Sequence, residues 1–426
     1  VLRDVFGPQA RAAQAAFAYR AERAQLDARD RAFAAELAYG AIKARRLLDW
    51  YLEPYLGGRR RALAPAIAEI VRLGAYQLRC MGGIEPHAAV SESVNLAWRH
   101  GHRGTAGLVN AVLRKIAAEP PREPEFAAAS DRNDALGVRY SLPTWLVAQW
   151  ASVLGPALEE ALRGVNAAPQ RAVRTNPLRG DPERARAALE ALGVTLVPST
   201  FVDEVFVASA DGALGDDPQG RWFVQSEAAA FVADLLAPLP GETVLELCSG
   251  RGTKSAQLGA RLAGRGQLFC VEADARKLPV LRATLVRAQV EASVVEGDAT
   301  RALPDLRADA VLVDAPCSAT GTIGRHPEAR WRKSPQDGAR LAPSQDALLE
   351  AACRRLRAGG RLVYAVCSID PREGRERIAA LLARRAELAP AALPERYAPF
   401  ACAGALLVPP GLAGRDGFFI AQLRKS

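Results

Sequence analysis

Two cysteines stand just past what read as the ends of buried β-strands: Cys317 in "VDAPCSATGT" and Cys367 in "YAVCSI". A thiolate adding to C6 of a pyrimidine turns C5, otherwise a poor nucleophile, into an enamine-like carbon able to take a methyl group. The adduct must then lose its C5 proton and expel the thiolate, which gives a second thiol a task. Asp314, in the same "DAPC" run, has the chemistry to hydrogen-bond the protonated ring nitrogen and to draw charge from C6 during attack. Local chemistry leaves open which cysteine attacks and which assists release. Cys80, Cys270 and Cys353 read as small buried hydrophobes, the usual state of a free cysteine.

A methyl donor has to lie beside such thiols, and "LELCSGRGTKS", Leu245 to Ser255, has the form of a strand running through a tight turn into a helix. Gly250 and Gly252 let the backbone of that turn approach a ligand and leave helix N-terminal N–H groups facing it. The following strand ends in "CVEAD", with Glu272 at the spacing where an acid accepts hydrogen bonds from a ribose diol. The third ends in "EGDA", which puts Asp298 toward the adenine edge of the same ligand. No phosphate loop ending Gly-Lys-Ser/Thr is present, so S-adenosylmethionine suits these residues better than ATP.

The elements that must position these groups are legible as an alternation of strand and helix over residues 223–426. Apolar runs "TVLELC", "GQLFCVEA", "ASVVEGD", "ADAVLVDAP" and "GRLVYAVCS" alternate with helical "KSAQLGARLAG" and "QDALLEAACRRLRAGG". Such alternation implies a largely parallel, doubly wound α/β sheet with its ligand site at the carboxyl ends of the strands. The closing "GFFIAQLRK" is expected as an added edge strand. Residues 131–222 carry helical "LPTWLVAQWASVLG" and "DPERARAALEALG" around short strand-like "RAVRTN" and "EVFVAS", which predicts a small α+β domain; "DGALGDDPQG" reads as loop. Residues 1–130 form an all-α module of amphipathic helices: in "TAGLVNAVLRKI", Leu108, Val109, Val112, Leu113 and Ile116 recur at helical spacing. The Pro-rich "AEPPREPEF" that follows reads as a linker.

Composition narrows the partners. The formal charge is +9, and residues 1–130 hold 19 Lys or Arg against 13 Asp or Glu, a difference of +6, which favours a polyanionic partner such as RNA. Seven cysteines without C-x-x-C spacing and four scattered histidines indicate neither a disulfide framework nor a metal site. No long uncharged apolar run appears, so a cytoplasmic protein is expected, and nothing in the sequence marks a dimer interface, which makes a monomer the expectation.

"DAPCSATGTIGRHPEARW" and "YAVCSIDPREG" resemble two catalytic motifs of the RNA cytosine-5 methyltransferases, and "LELCSGRGTKS" is similar to that family's cofactor loop. "RTNPLR", "FVQSEAAAF" and "DGFFIAQLRK" extend the likeness, while "EPHAAVSESVNLAW" and "GLVNAVLRKI" resemble the RNA-binding helical fold of the antitermination factor NusB. The chain is therefore identified as a member of the bacterial 16S rRNA cytosine-5 methyltransferases that fuse a NusB-like domain to a Rossmann-like class I methyltransferase domain. The resemblance implies that Cys367 is the nucleophile, that Cys317 assists release, and that Asp314 sits between cofactor and target base. It also implies a cofactor loop of Cys248, Ser249, Gly250, Arg251, Gly252, Thr253 and Lys254, with Glu272 on the ribose and Asp298 near the adenine of S-adenosylmethionine. The implied partner is 16S rRNA, bare or in an early small-subunit assembly intermediate. Departures are Glu246 and Glu272 where Asp is usual, Arg251 for proline, Thr253 for glycine and Val366 for threonine. They predict a differently built turn in which β-branched Thr253 restricts approach to the cofactor. Two alternatives stand beside this reading: the same chemistry on tRNA or 23S rRNA, and a non-catalytic RNA-binding assembly factor.

Overall fold

In a computed structural model, residues 1–8, 10–58, 62–120, 122–124, 132–209, 214–301 and 305–426 are described. The proposed linker and the "DGALGDDPQG" loop lie partly outside these residues. The chain divides into two compact units, one of Val1–Ser152 with Arg325–Lys333, the other of Val153–Gly324 with Ser334–Ser426.

The first unit is helical. Its helix Arg103–Ala118 begins at His102, whose Nδ1 accepts the Gly104 N–H at 3.1 Å while Thr105 Oγ1 accepts the His102 N–H at 2.8 Å, a reciprocal cap that satisfies end groups a helix cannot pair internally. Val109, Val112, Leu113 and Ile116 on that helix are buried, as their spacing predicts, with Leu108 packed at the margin. Helix Pro65–Arg79 approaches closely at Gly74, where a Cβ would lie 2.4 Å from Leu113 Cδ1. Cys80, expected in a core, is exposed instead, because it caps the end of this helix where the chain turns away. Residues 325–333 belong to this unit although they are remote from it in sequence. Trp331 Nε1 donates to Ile42 O at 2.7 Å, Arg332 Nη2 donates to Val5 O and Arg11 O at 2.6 Å, and fully buried Arg330 donates to Ser141 O at 3.3 Å.

The second unit holds two sheets. In the smaller, β1 (Arg171–Thr175), β2 (Leu196–Pro198), β3 (Val205–Ala208) and β4 (Trp222–Val224) pair antiparallel in the order β2-β3-β1-β4. The larger sheet comprises β5 (Thr243–Leu247), β6 (Gln267–Glu272), β7 (Ser293–Glu296), β8 (Ala308–Asp314), β9 (Leu356–Val366), β10 (Leu388–Pro390), β11 (Ala401–Cys402), β12 (Ala405–Val408) and β13 (Phe418–Lys425). Its order is β11-β12-β13-β9-β8-β5-β6-β7, with β10 also on β13. β5 to β9 pair parallel, as the strand-helix alternation predicts.

Two faces of this sheet are filled by alternate residues of each strand, the consequence of a side-chain period of two. Val244, Ala310, Leu312, Val363 and Ala365 join one core with the helices Glu227–Leu236, Thr253–Leu262 and Leu278–Ala288. Leu245, Leu247, Val311, Val313, Leu362 and Val366 join the other with Asp337–Arg355 and Arg375–Arg384. The closing strand differs from expectation: β13 is interior, antiparallel to β9 on one side and β12 on the other. Its residues Phe418 to Leu423 are all buried, the pattern of a strand covered on both faces and both edges. The stretch "LRAGG" also leaves the helix that the sequence predicts for it and starts β9, after that helix stops at Arg355.

Candidate active site

The chain runs from β5 outward to β6 and β7, then returns to β8 on the other side of β5, so the strand order reverses between β5 and β8. In open α/β sheets the loops leaving the two strands at such a reversal diverge and leave a crevice at their carboxyl ends. The glycine-rich turn follows β5 and Asp314 ends β8, and both therefore border that crevice.

Three consecutive alternate positions shape the turn: Cys248, Gly250 and Gly252 have φ of 64°, 61° and 87°, and helix Thr253–Leu262 starts directly after. Two of these are glycine, which takes that region without a Cβ penalty. A Cβ on Gly250 would meet nothing closer than Cys248 O at 4.0 Å, so this segment of backbone faces open space in which a ligand fits. A Cβ on Gly252 would lie 2.7 Å from Leu281 Cδ1, so that glycine serves helix packing. Thr253 is the first helical residue and needs no unusual backbone, and the conformational demand of the turn falls on its neighbours rather than on the substituted position. Burial pushes the Cys248 thiol up to about 12, with Asp314 adding to it. Ser249 is anchored by its N–H to Val271 O at 3.0 Å; Arg251 is exposed.

Glu272, at the end of β6, holds this turn from the adjacent strand. Its Oε2 accepts the Gly250 N–H at 2.7 Å, and its Oε1 accepts the Asp274 N–H at 2.8 Å and lies 3.2 Å from Lys277 Nζ. Asp298, just beyond β7, is exposed and accepts the N–H and hydroxyl of Thr300 at 2.9 and 2.7 Å. The small sheet reaches the turn as well: buried Arg174 of β1 donates to Gln225 Oε1 at 2.7 Å and to Thr253 O at 3.3 Å. Sequence reasoning passed over Arg174, although "RTNPLR" contains it; a basic residue in a short strand ordinarily reads as solvated.

Lys254 Nζ donates to Asp314 Oδ2 at 2.7 Å. Burial opposes the lysine's charge, but Asp314, through its charge and hydrogen bond, and then Cys367 outweigh it and raise its pKa. Cys317 Sγ and Cys367 Sγ lie 3.3 Å apart. The hydrogen bond to Cys367, then burial and the charges of Cys367 and Glu373, hold the Cys317 thiol well above its ordinary value and favour its protonated form. Gly321 makes the close approach of the two loops possible. It donates its N–H to Cys367 O at 3.0 Å, and a Cβ there would lie 2.1 Å from Gly417 O. Sequence reasoning missed this residue too, though a glycine in "CSATGT" was its signal. Cys317 with Cys367 and Lys254 with Asp314 thus form two close pairs, Cys367 acting electrostatically on Lys254, and Asp298 stands apart beyond the edge strand β7.

Glu246 is wholly buried and accepts the Ser255 hydroxyl; burial lifts it to about 7, and Asp314 adds to the rise. The folded protein keeps this proton to higher pH than the unfolded chain does. Its contribution to stability is therefore full in acid and is lost as the pH rises from about 4.5 through 7, by about 3 kcal/mol. Urea unfolding of the parent protein and Glu246→Gln at pH 5 and pH 8 checks this. The variant should gain on the parent with rising pH, and a pH-independent difference would count against the buried, raised carboxyl.

Comparison with known proteins finds relatives along almost the whole chain. Residues 233–424 match the family described as 16S rRNA methyltransferase RsmB/F, residues 4–118 match the NusB family, and residues 142–210 match the RsmF/B-like ferredoxin-like domain. The ribosomal RNA small subunit methyltransferase B of Thermus thermophilus is 38% identical, over 93% of this chain and 89% of its own, and that of Sodalis glossinidius is 32% identical, over 94% and 91%. The crystal structure of PH0851 superposes with a TM-score of 0.82 at 26% identity, covering 100% of this chain and 96% of that one. Since these curated relatives are each at least 32% identical over more than nine-tenths of its length, the chain belongs to the ribosomal RNA small subunit methyltransferase B family.

Proposed function

We propose that this protein transfers a methyl group from S-adenosylmethionine to C5 of a cytosine in 16S rRNA through a covalent adduct of Cys367 with C6. The observation that carries this reading is the pair of thiols 3.3 Å apart beside the glycine turn and the Lys254–Asp314 pair. The turn Cys248 to Lys254 holds the cofactor, whose bound sulfonium supplies an electrophilic methyl carbon. Glu272 retains lone pairs for ribose hydroxyls beyond the two backbone N–H groups it accepts, and Asp298, exposed past β7 and apart from the thiols, is the acid assigned to the adenine edge.

Cys367 gives its thiol proton to water and adds to C6 as the thiolate, the displaced π pair moves to the ring nitrogen, which takes up a proton from water and donates it in a hydrogen bond to Asp314, and Lys254 fixes the direction of that carboxylate. After methyl transfer the C5 proton passes to water, its electron pair forms the C5–C6 double bond, and the C6–S bond breaks with its pair going to Cys367 Sγ. The protonated thiol of Cys317 hydrogen-bonds that departing sulfur. The target base must be unpaired or flipped out, because stacking in a duplex shields C5 and C6. Bare 16S RNA or an early assembly intermediate meets that need, and the NusB-like and small α+β modules grip the RNA. The enzyme acts on nascent rRNA in the cytoplasm as a monomer; among the described residues no helix is long and apolar enough to cross a membrane.

The test uses methyl-labelled S-adenosylmethionine with bare 16S RNA, an assembly intermediate, 23S rRNA and tRNA, followed by digestion to nucleosides. Label is expected in 5-methylcytidine from 16S RNA alone. Label in tRNA or 23S rRNA would transfer the activity to that substrate, and RNA binding without any label would leave a non-catalytic assembly factor.

A further inference from the structure

The turn after β9 carries a wholly buried acid with no part in the chemistry above, Glu373 in "CSIDPREG". Its Oε1 accepts the Ser318 N–H at 2.7 Å and Gln345 Nε2 at 3.3 Å, and its Oε2 accepts the Ser318 hydroxyl at 2.5 Å. Ser318 follows Cys317, and its Oγ lies 3.1 Å from the Oγ of Ser368, the residue after Cys367. Thr320 Oγ1 closes a triangle, 3.3 Å from Ser318 Oγ and 3.2 Å from Ser368 Oγ. All three hydroxyl residues are buried. Glu373 is itself fixed from β9, since its backbone carbonyl accepts the Tyr364 hydroxyl at 2.6 Å.

We propose that Glu373 is a positioning residue for product release: through Ser318 and the hydroxyl triangle it sets the register of the Cys317 loop against Cys367. A carboxylate that accepts both the N–H and the hydroxyl of one residue restrains that residue's rotation as well as its position. Of the neighbouring arginines, Arg372 pairs with Asp370 and Arg377 with Asp346, at 2.6 and 2.8 Å. Its charge adds to the hydrogen bond from Cys367 and to burial in keeping Cys317 protonated, the form that hydrogen-bonds the sulfur leaving C6. Attack by Cys367 and methyl transfer do not use the Cys317 proton, so the loss should fall on release alone.

This inference rests on the adduct chemistry proposed above, and its test separates the two. Glu373→Ala, Glu373→Gln and Ser318→Ala are incubated with 16S RNA and S-adenosylmethionine beside Cys317→Ala, and the denaturation-resistant protein–RNA complex and its decay are followed. Release should slow by about 100-fold in Glu373→Ala, the scale of a displaced reacting group. S-adenosylmethionine and RNA affinities should stay within about twofold, since the network touches neither site. Glu373→Gln, which keeps an acceptor for the Ser318 N–H, should recover part of the loss. Ser318→Ala, a smaller change at the same node, should trap the complex even if Glu373→Ala fails to fold. Unaltered release in both Ser318→Ala and Glu373→Gln would overturn the proposal, as would release and cofactor affinity falling in parallel. Absence of a complex in Cys317→Ala with methyl transfer intact would overturn the release role of Cys317 and this proposal with it, whereas methyl transfer retained in Cys367→Ala would instead overturn the adduct reading on which it stands.

Discussion

Replacing Cys317 by alanine should leave methyl transfer able to proceed once and then stall, with the protein bound to its RNA in a complex that survives denaturation. The second substitution, Cys367→Ala, should abolish both the complex and the transfer, and Cys317→Ala/Cys367→Ala should behave like Cys367→Ala alone. The reason is the asymmetry of the pair. The two sulfurs are 3.3 Å apart, but Cys317 is held protonated by its partner, by burial and by nearby charge. A group kept as a thiol is a poor nucleophile and a suitable donor to a departing sulfur. Turnover in Cys317→Ala should fall by at least about 100-fold, the range for removing a positioned proton donor. Gel separation of labelled RNA under denaturing conditions reads the result. A trapped complex that persists in Cys367→Ala and vanishes in Cys317→Ala would reverse the two assignments.

The Lys254–Asp314 pair should produce the second large effect. Asp314→Asn keeps the shape of the side chain and removes its charge, and methyl transfer is expected to drop by about 100- to 1000-fold, the range for losing one aimed electrostatic group. In a Cys317→Ala background the trapped complex should also fail to form, because Asp314 acts during attack. Lys254→Met should lower activity in the same direction and also destabilise the protein by about 1 to 2 kcal/mol, since it strips the partner from a carboxylate that water still reaches. The Lys254→Met/Asp314→Asn double variant should lose little more activity than Asp314→Asn, as expected when one residue works by orienting the other. Fully additive losses in kcat/KM would show two independent roles.

Legibility of the site followed how local each signal was. The glycine turn, the acids at strand ends and the two cysteines sit beside short apolar runs whose alternation is written in neighbouring residues, so their strand-end positions could be read directly. The conformational role of Gly250 and Gly252 was readable too, because a turn between strand and helix requires positive φ from few residues. Glu272 was expected to face a ribose, yet its carboxylate already ties β6 to the Gly250 N–H, a bond that exists only because β6 lies next to β5. Glu373 and Arg174 give no local signal of a site, and both are buried with hydrogen bonds to residues far away in sequence.

The sequence by itself determined the helical module, the parallel sheet and the edge of that sheet on which chemistry would collect, because side-chain period and turn residues act within a few positions. Tertiary structure alone decided which strands are neighbours. It put β13 inside the sheet with its apolar faces covered, drew residues 325–333 into the helical unit through Arg330 and Trp331, and brought Cys317 and Cys367 to 3.3 Å. Local patterning leaves such pairings free, since two strands of equal apolarity pack equally well until loop length, register and the burial of every remaining polar group select one arrangement.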